Sequence, residues 1–361
     1  MRYFTIPADF KKSSIDIYSE MNHKYSNSQL VEIYGQIIKG KIMNSGRISD
    51  SIPDISFLEL KDYIGYSKEK GINFNYTFNA SCLGNYEFTS KGILEVKSFI
   101  NELMEAGVDT FTVASPILME IIKEVNDKAN IVASTICEIN SANKAVFYKK
   151  LGVTRIVVDA DITRDFNRLS VISNVFGDCV EIIVNNTCLR NCAYKMFHYN
   201  HDSHCADNAV YKSQISYYPS RCAIQKYEKP ENILKLNWIR PEDLKYYENV
   251  GIHYFKIQGR PNVLRGKPTK TLMAYFEQSY DGNLCELLTM FFPSISRAFI
   301  DNKKLDGFID KFYKSSGFCN DNCDECKYCF SYAEKCMDIE SAKKDNADMY
   351  KIYKSLNILE V

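Results

Sequence analysis

The chain has 361 residues, is 45% hydrophobic and 25% charged, and carries 45 basic against 45 acidic side chains. That length allows one large domain or two ordinary ones at roughly 100–200 residues each, and the composition excludes a disordered chain. Zero net charge gives no global basic field to recruit nucleic acid or an anionic membrane, and no apolar run reaches the roughly 18 residues of a membrane span.

The opening Met1-Arg2-Tyr3-Phe4-Thr5-Ile6-Pro7-Ala8 runs into Asp9 and lacks the apolar stretch of a secretory leader, so a soluble, cytoplasmic protein without a membrane partner is expected. Further along, β-rich runs alternate with helical-period runs. The spacing predicts strands over 31–35, 72–78, 110–114, 131–135, 155–158, 180–184, 233–236 and 254–257. Amphipathic helices are predicted over 91–107, 116–126, 141–151, 165–175 and 241–249. In the first of these Ile93, Val96, Ile100, Leu103 and Met104 share one face. Pro116 and Pro241 stand where proline is tolerated, in a first helical turn.

Eight strands with interposed helices point to an α/β fold, a (β/α)8 TIM-type barrel, over 1–290. No G-x-G-x-x-G follows a strand, which weakens a dinucleotide-binding reading. Two connections are too long for plain βα loops, 36–54 and the Cys-bearing insertion 185–232. Both follow strands and so belong to the C-terminal face, where barrel enzymes keep their sites. Residues 291–361 read as a short helical, Cys-rich extension.

The chain holds 13 Cys. In a reducing compartment these are not read as disulfides, and most of them cluster, which makes metal binding the first functional hypothesis. Cys137, Cys179 and Cys285 read as buried small hydrophobes. Cys319, Cys323, Cys326 and Cys329 are four closely spaced thiols, a crowding that suits an iron–sulfur cube better than zinc. The C-x-x-x-C-x-x-C within them matches the radical S-adenosylmethionine spacing, but it lies past every predicted strand and Cys329 can close the fourth site. The second group is Cys188, Cys192, Cys205 and Cys222, beginning just past the strand that ends near Val184. His198, His201 and His204 lie between Cys192 and Cys205, as ligands, proton relays or ordinary loop histidines.

Polar residues end several strands: Asn79, Ser115, Glu138, Asp159, Asn185 and Asn186. Each is open to a plain helix-capping role. Arg47 lies in the other long connection. Lys256 and Arg260 end the last strand and open a run of five basic and no acidic residues up to Lys270. At a barrel mouth such a run can hold a carboxylate or phosphate. The candidate catalytic set is therefore Arg47, Asn79, Glu138, Asn185, His198 and His204. Lys256, Arg260 and Arg240 are the candidate substrate-binding residues.

The segments Asn75-Tyr-Thr-Phe-Asn79-Ala-Ser-Cys82, Val184-Asn185-Asn186-Thr-Cys188-Leu-Arg-Asn-Cys192, His198-Tyr-Asn200-His-Asp-Ser-His204, Trp238-Ile-Arg240-Pro-Glu-Asp243 and Phe255-Lys256-Ile-Gln-Gly259-Arg260 together resemble peptidase family U32, the collagenase-like group. The resemblance covers most of 30–330 and implies a barrel with an iron–sulfur cluster bound after a late strand. Cys188, Cys192 and Cys222 match family ligands. The expected further Cys after Cys222 is replaced by Gln225, so Cys205 is the default fourth ligand and Cys82 its rival. The tail matches the subgroup with a C-terminal Cys-rich extension and implies a second cluster, both of the [4Fe-4S] type.

Family members include collagenase-like peptidases and proteins of oxygen-independent hydroxylation in ubiquinone biosynthesis and on RNA, some with prephenate as oxygen donor. The resulting expectation is an iron–sulfur hydroxylase or atom-transfer enzyme using a small anionic donor. The alternatives are a peptidase, or a non-catalytic iron–sulfur partner of a second family member or an electron-transfer protein. No H-E-x-x-H or G-x-S-x-G is present to favour hydrolysis. RNA stays open as a partner class, with no recognition module to support it.

Overall fold

Successive side chains on a strand point to opposite faces, and in this chain the two faces differ in character. Phe4, Phe74, Tyr76, Phe111, Ile131, Ile156, Ile182 and Phe255 face one way, into the main apolar core. Thr5, Glu32, Asn75, Thr77, Thr112, Arg155, Glu181 and Lys256 alternate with them and are polar, yet all but Arg155 are fully buried. A sheet with one apolar face and one polar face that both avoid water is satisfied by closure, with helices packed outside and the polar side chains inside.

A computed structural model describes residues 1–37, 46, 53–206, 217–293 and 298–355, side chains at 205 and 206 excepted. It shows that closure. The strands are β1 (Arg2–Pro7), β2 (Ser28–Gly35), β3 (Asn73–Phe78), β4 (Thr110–Val113), β5 (Asn130–Ala133), β6 (Arg155–Val157), β7 (Val180–Ile183) and β8 (Tyr254–Lys256). They form one closed parallel barrel in sequence order. Tyr3, Phe4 and Thr5 pair with Tyr254, Phe255 and Lys256 to seal it.

Two strand assignments shift from the sequence reading. Arg2–Pro7, given no element in the sequence reading, is a full barrel strand, its Tyr3-Phe4-Thr5-Ile6 run being strong β-formers. Residues 233–236 form no strand. Pro230 opens a 3₁₀ segment, Pro230–Lys235, whose Ile233 and Leu234 are buried, and a short buried apolar run does not by itself distinguish strand from helix. Predicted helices fall where expected. Ser90–Glu105 buries Val96, Phe99, Ile100 and Leu103, capped by Thr89, whose hydroxyl accepts from Gly92 N at 2.9 Å. A side chain at Gly92 would meet Tyr86 O at 1.9 Å, so that close approach requires glycine. The predicted helix 241–249 is a 3₁₀ turn, Pro241–Asp243, followed by Leu244–Glu248.

The chain after the barrel shares its core. Phe308, Phe312, Ala333, Cys336 and Ala342 belong to the same apolar cluster as the barrel's outer face. Arg164 is the hinge of that contact. Its guanidinium donates to Leu234 O and Leu236 O, both at 2.9 Å, and lies over the rings of Trp238, Phe308 and Phe312 at 4.8, 5.0 and 5.3 Å.

Candidate functional site

Barrels of this type usually fill their interior with branched apolar side chains. Here, among the described residues, only Val132, Val157 and Ile183 form an apolar cluster inside. The tier below is ionic. Arg155 bonds to Glu32, and its Nε lies 3.3 Å from Glu181. Asn75 donates to Glu32 at 2.8 Å and Thr5 to Glu181 at 2.6 Å. Burial would raise the Glu181 carboxyl, but the charges of Lys256 and Arg155 and the Thr5 hydroxyl hold it below its ordinary value. Burial lowers the Lys256 ammonium, with Glu181 and Glu32 pulling the other way. Two carboxylates against two cations make this tier neutral once Lys256 is protonated.

Above it opens a cavity of about 540 Å³ at the C-terminal end of the strands. Its floor is the next inward tier: Tyr34 of β2, Thr77 of β3, Thr112 of β4, Val157 of β6, Ile183 of β7 and Lys256 of β8. Lys256 Nζ reaches across to lie 3.7 Å from the centre of the Tyr34 ring. The wall carries Asn79, Cys188, His198, Asp202, Gln258 and Arg260. Arg260 is buried, and its Nη1 donates to Gln36 Oε1 at 2.6 Å.

The wall depends on the helix Lys195–Ala206, which sets His198 and Asp202 four residues apart on one face. His198 Nε2 lies 3.5 Å from Asp202 Oδ1, and His201 Nδ1 lies 3.7 Å from the same oxygen. Tertiary contacts fix this helix. Lys195 Nζ meets Asp161 Oδ2 at 2.6 Å, Asp159 Oδ1 at 2.9 Å and Glu138 Oε1 at 3.3 Å. Ser81 donates to Asn200 Oδ1 at 2.7 Å, and Ser81 N donates to Ser203 Oγ at 2.9 Å. Tyr218 stacks on His198 with ring centres 5.7 Å apart.

The structure thus brings together Asn79, His198, Lys256 and Arg260 of the expected set, and Cys188 with them. Others lie elsewhere. Asn185 donates to Gln258 O and Leu288 O and accepts from Gln258 N, tying the end of β7 to that of β8. Glu138 adopts a left-handed backbone with φ of 48° and serves the Lys195 cluster. Arg240 is buried, bonded through Nε and Nη2 to Asp243 and through Nη1 to Asn302 O and Asp306. His204 is exposed at the far end of its helix. Arg47 lies outside the described residues, although Gly46 beside it packs so closely on Asn79 O that a side chain there would come within 2.3 Å. Sequence reasoning missed Tyr34, Thr77, Thr112 and Asp202. The only signal was the alternation of polar with aromatic residues in 73–79.

The metal expectation is corrected. Among the described residues, no three His, Cys, Asp or Glu side chains gather into a group able to hold a metal ion. Cys188 lines the cavity, whereas Cys192 and Cys222 are half-buried outside it. Cys82 is half-buried beyond β3, and the Cys205 side chain lies outside the described residues. In the tail, Cys323 and Cys326 are exposed, and Cys319 accepts from Arg190 Nη1 at 3.1 Å. Burial pushes the Cys329 thiol up to about 11 and raises that of Cys323. Among the described residues neither Cys188, Cys192 and Cys222 nor Cys319, Cys323, Cys326 and Cys329 gather into a metal-holding group, so the expected iron–sulfur clusters, and the prephenate-like oxygen donor expected with them, are not supported.

Comparison with known proteins agrees with the barrel. A model of peptidase family U32 matches residues 40–277. An uncharacterized protease of Methanocaldococcus jannaschii is 32% identical over 337 residues, covering 92% of this chain and 98% of that protein. The solved structure of the U32 peptidase Mk0906 superposes with a TM-score of 0.52 at 16% identity, covering 72% of this chain and 93% of that one, a likeness of fold. No helix among the described residues is long and apolar enough to cross a membrane.

Proposed function

Because the chain belongs to peptidase family U32, we propose that it hydrolyses peptide bonds in the barrel-mouth cavity, with Cys188 as nucleophile and His198 as its base. The observation that carries this reading is that Cys188, His198 and Asp202 line one cavity, with the imidazole beside the carboxylate. A nucleophile, a base and a third group that orients the base is the general arrangement for acyl transfer. The Cys188 proton passes to His198 as sulfur attacks the carbonyl carbon. The imidazolium returns that proton to the departing amine, leaving a thioester. Water then adds, its proton going to His198, and the thiol is released with the acid. Asn79 and Gln258 line the same cavity and supply amide groups for the carbonyl oxygen. Arg260 and Lys256 favour an anionic substrate.

Cleavage of a fluorogenic peptide library tests this reading. Cys188→Ala and His198→Ala should each lose at least about 10³-fold in kcat/KM, as removal of one member of such a unit does. A Cys188→Ala protein as active as the unaltered one overturns it. Absence of any cleavage by the unaltered protein favours a non-catalytic partner role instead.

A further inference from the structure

We propose that the cavity selects its substrate by a free C-terminal carboxylate, seated at the floor on the Lys256 ammonium and the hydroxyls of Thr77 and Thr112. Built on the peptidase reading, this makes the protein an exopeptidase that works near the end of a chain, not within it.

Three buried polar groups at the floor carry the inference. Lys256 is 7% exposed, Thr77 1% and Thr112 2%. Lys256 Nζ, Thr77 Oγ1 and Thr112 Oγ1 have no hydrogen-bond partner among the described residues, and all three residues line the cavity. A buried polar group left unsatisfied costs about 1–3 kcal/mol, more if charged, so three together at one floor describe a receptor for an acceptor group. Thr77 and Thr112 are register partners on β3 and β4. Lys256 reaches from β8 over the Tyr34 ring of β2, the strand beside β3. One ammonium and two hydroxyls are donors suited to two carboxylate oxygens.

The donors at the floor select an anion. Lys256 is the charged group there, the Glu32, Arg155 and Glu181 tier beneath is balanced with it protonated, and Arg260 and Asp202 offset one another on the wall. An ammonium terminus would meet the Lys256 cation and two hydroxyls at the floor and no carboxylate. The floor is closed below by the Glu32, Arg155 and Glu181 tier, so a ligand reaches it from the mouth and a main chain cannot thread through. The volume lies within the range of about 300–1,000 Å³ typical of small-ligand sites, too small for a long segment passing through.

Titration calorimetry on the full chain tests this. Cys188→Ala protein, which prevents turnover, is titrated with N-acetyl-Ala-Ala-Phe, with its C-terminal amide, and with N-acetyl-Ala-Ala-Glu amide. The free acid should bind roughly 10- to 150-fold more tightly than either amide, the fold-change of one charge-assisted contact. Lys256→Met should remove that preference, and Thr77→Val, nearly isosteric, should weaken it. Equal binding of acid and amide, equal binding of the Glu amide, no binding of the acid, or a preference that survives Lys256→Met each overturns the proposal. The comparison of ligands on one protein does not depend on the folding of the Lys256 variant. The preference without cleavage by the unaltered protein supports the carboxylate site and removes the peptidase reading. Equal cleavage of acid and amide does the opposite.

Discussion

Glu181 is out of solvent altogether, between Arg155 and Lys256, and accepts from Thr5 at 2.6 Å. Removing one partner from a buried ionic group typically costs about 3–5 kcal/mol, because the remaining charges are stranded. Glu181→Gln should therefore lower the unfolding free energy by about that amount at pH 7. The folded carboxyl lies below its ordinary value of 4.5. Its contribution is thus fully present above that value and is lost as the pH falls through the lower folded one. Urea unfolding of both proteins from pH 7 to pH 3 should show the gap narrowing only on the acid side. At this scale the sequence was legible where chemistry is unusual for its place. Lys256, Arg260, His198 and Asn79 were picked out and do share the cavity. Thr77 and Thr112 were invisible because threonine in a strand is an ordinary β-former. Arg240 misled because nothing in a linear reading shows that Asp243 and Asn302 O already occupy its guanidinium.

Among the elements, the helix Lys195–Ala206 brings His198 and Asp202 to the cavity wall and has little of its own to hold it in place. Its sequence, KMFHYNHDSHCA, has no clear apolar stripe, and its position comes from Lys195 beneath three carboxylates and from Ser81. Lys195→Met should let it shift. Because a misplacement of about 1 Å can cost about 10²-fold in rate, kcat/KM should fall roughly 10- to 100-fold, with circular dichroism showing the barrel intact. Unchanged kinetics would mean that Ser81 and Tyr218 suffice. Sequence periodicity recovered five of the helices and seven of the eight strands, because a βα repeat imposes two distinct spacings. It missed Arg2–Pro7, a strand whose partners lie at β2 and, far along the chain, at β8. The Cys groups show the opposite failure. Spacing along the chain suggested a ligand set, but among the described residues no metal-holding group forms, with Cys323 and Cys326 exposed and Cys329 packed against the core.

At the level of the whole molecule, barrel and tail stabilise one another through Trp238, Arg164 and Phe308. The Trp238 and Phe308 rings stack with centres 5.6 Å apart, and Asn191 Nδ2 of the cavity loop donates to Asp321 Oδ2 of the tail at 2.6 Å. Phe308→Ala should cost about 3–5 kcal/mol, as a buried large-to-small change does. In differential scanning calorimetry the whole unfolding transition should move down together. A barrel transition left in place while a smaller one shifts would instead mark residues 291–361 as an independent unit.

The ionic tier inside the barrel also bears on how the sheet comes together. Its members sit on β1, β2, β6, β7 and β8, and Thr5 meets Glu181 across 176 positions of chain. A sheet that stops short of closing leaves at least one of these charges without its counter-ion in a half-dried interior. An apolar lumen would tolerate such a gap, since any greasy neighbour serves. A lumen of matched charges does not, and so it penalises misregistered or open forms and makes ring closure an all-or-none event.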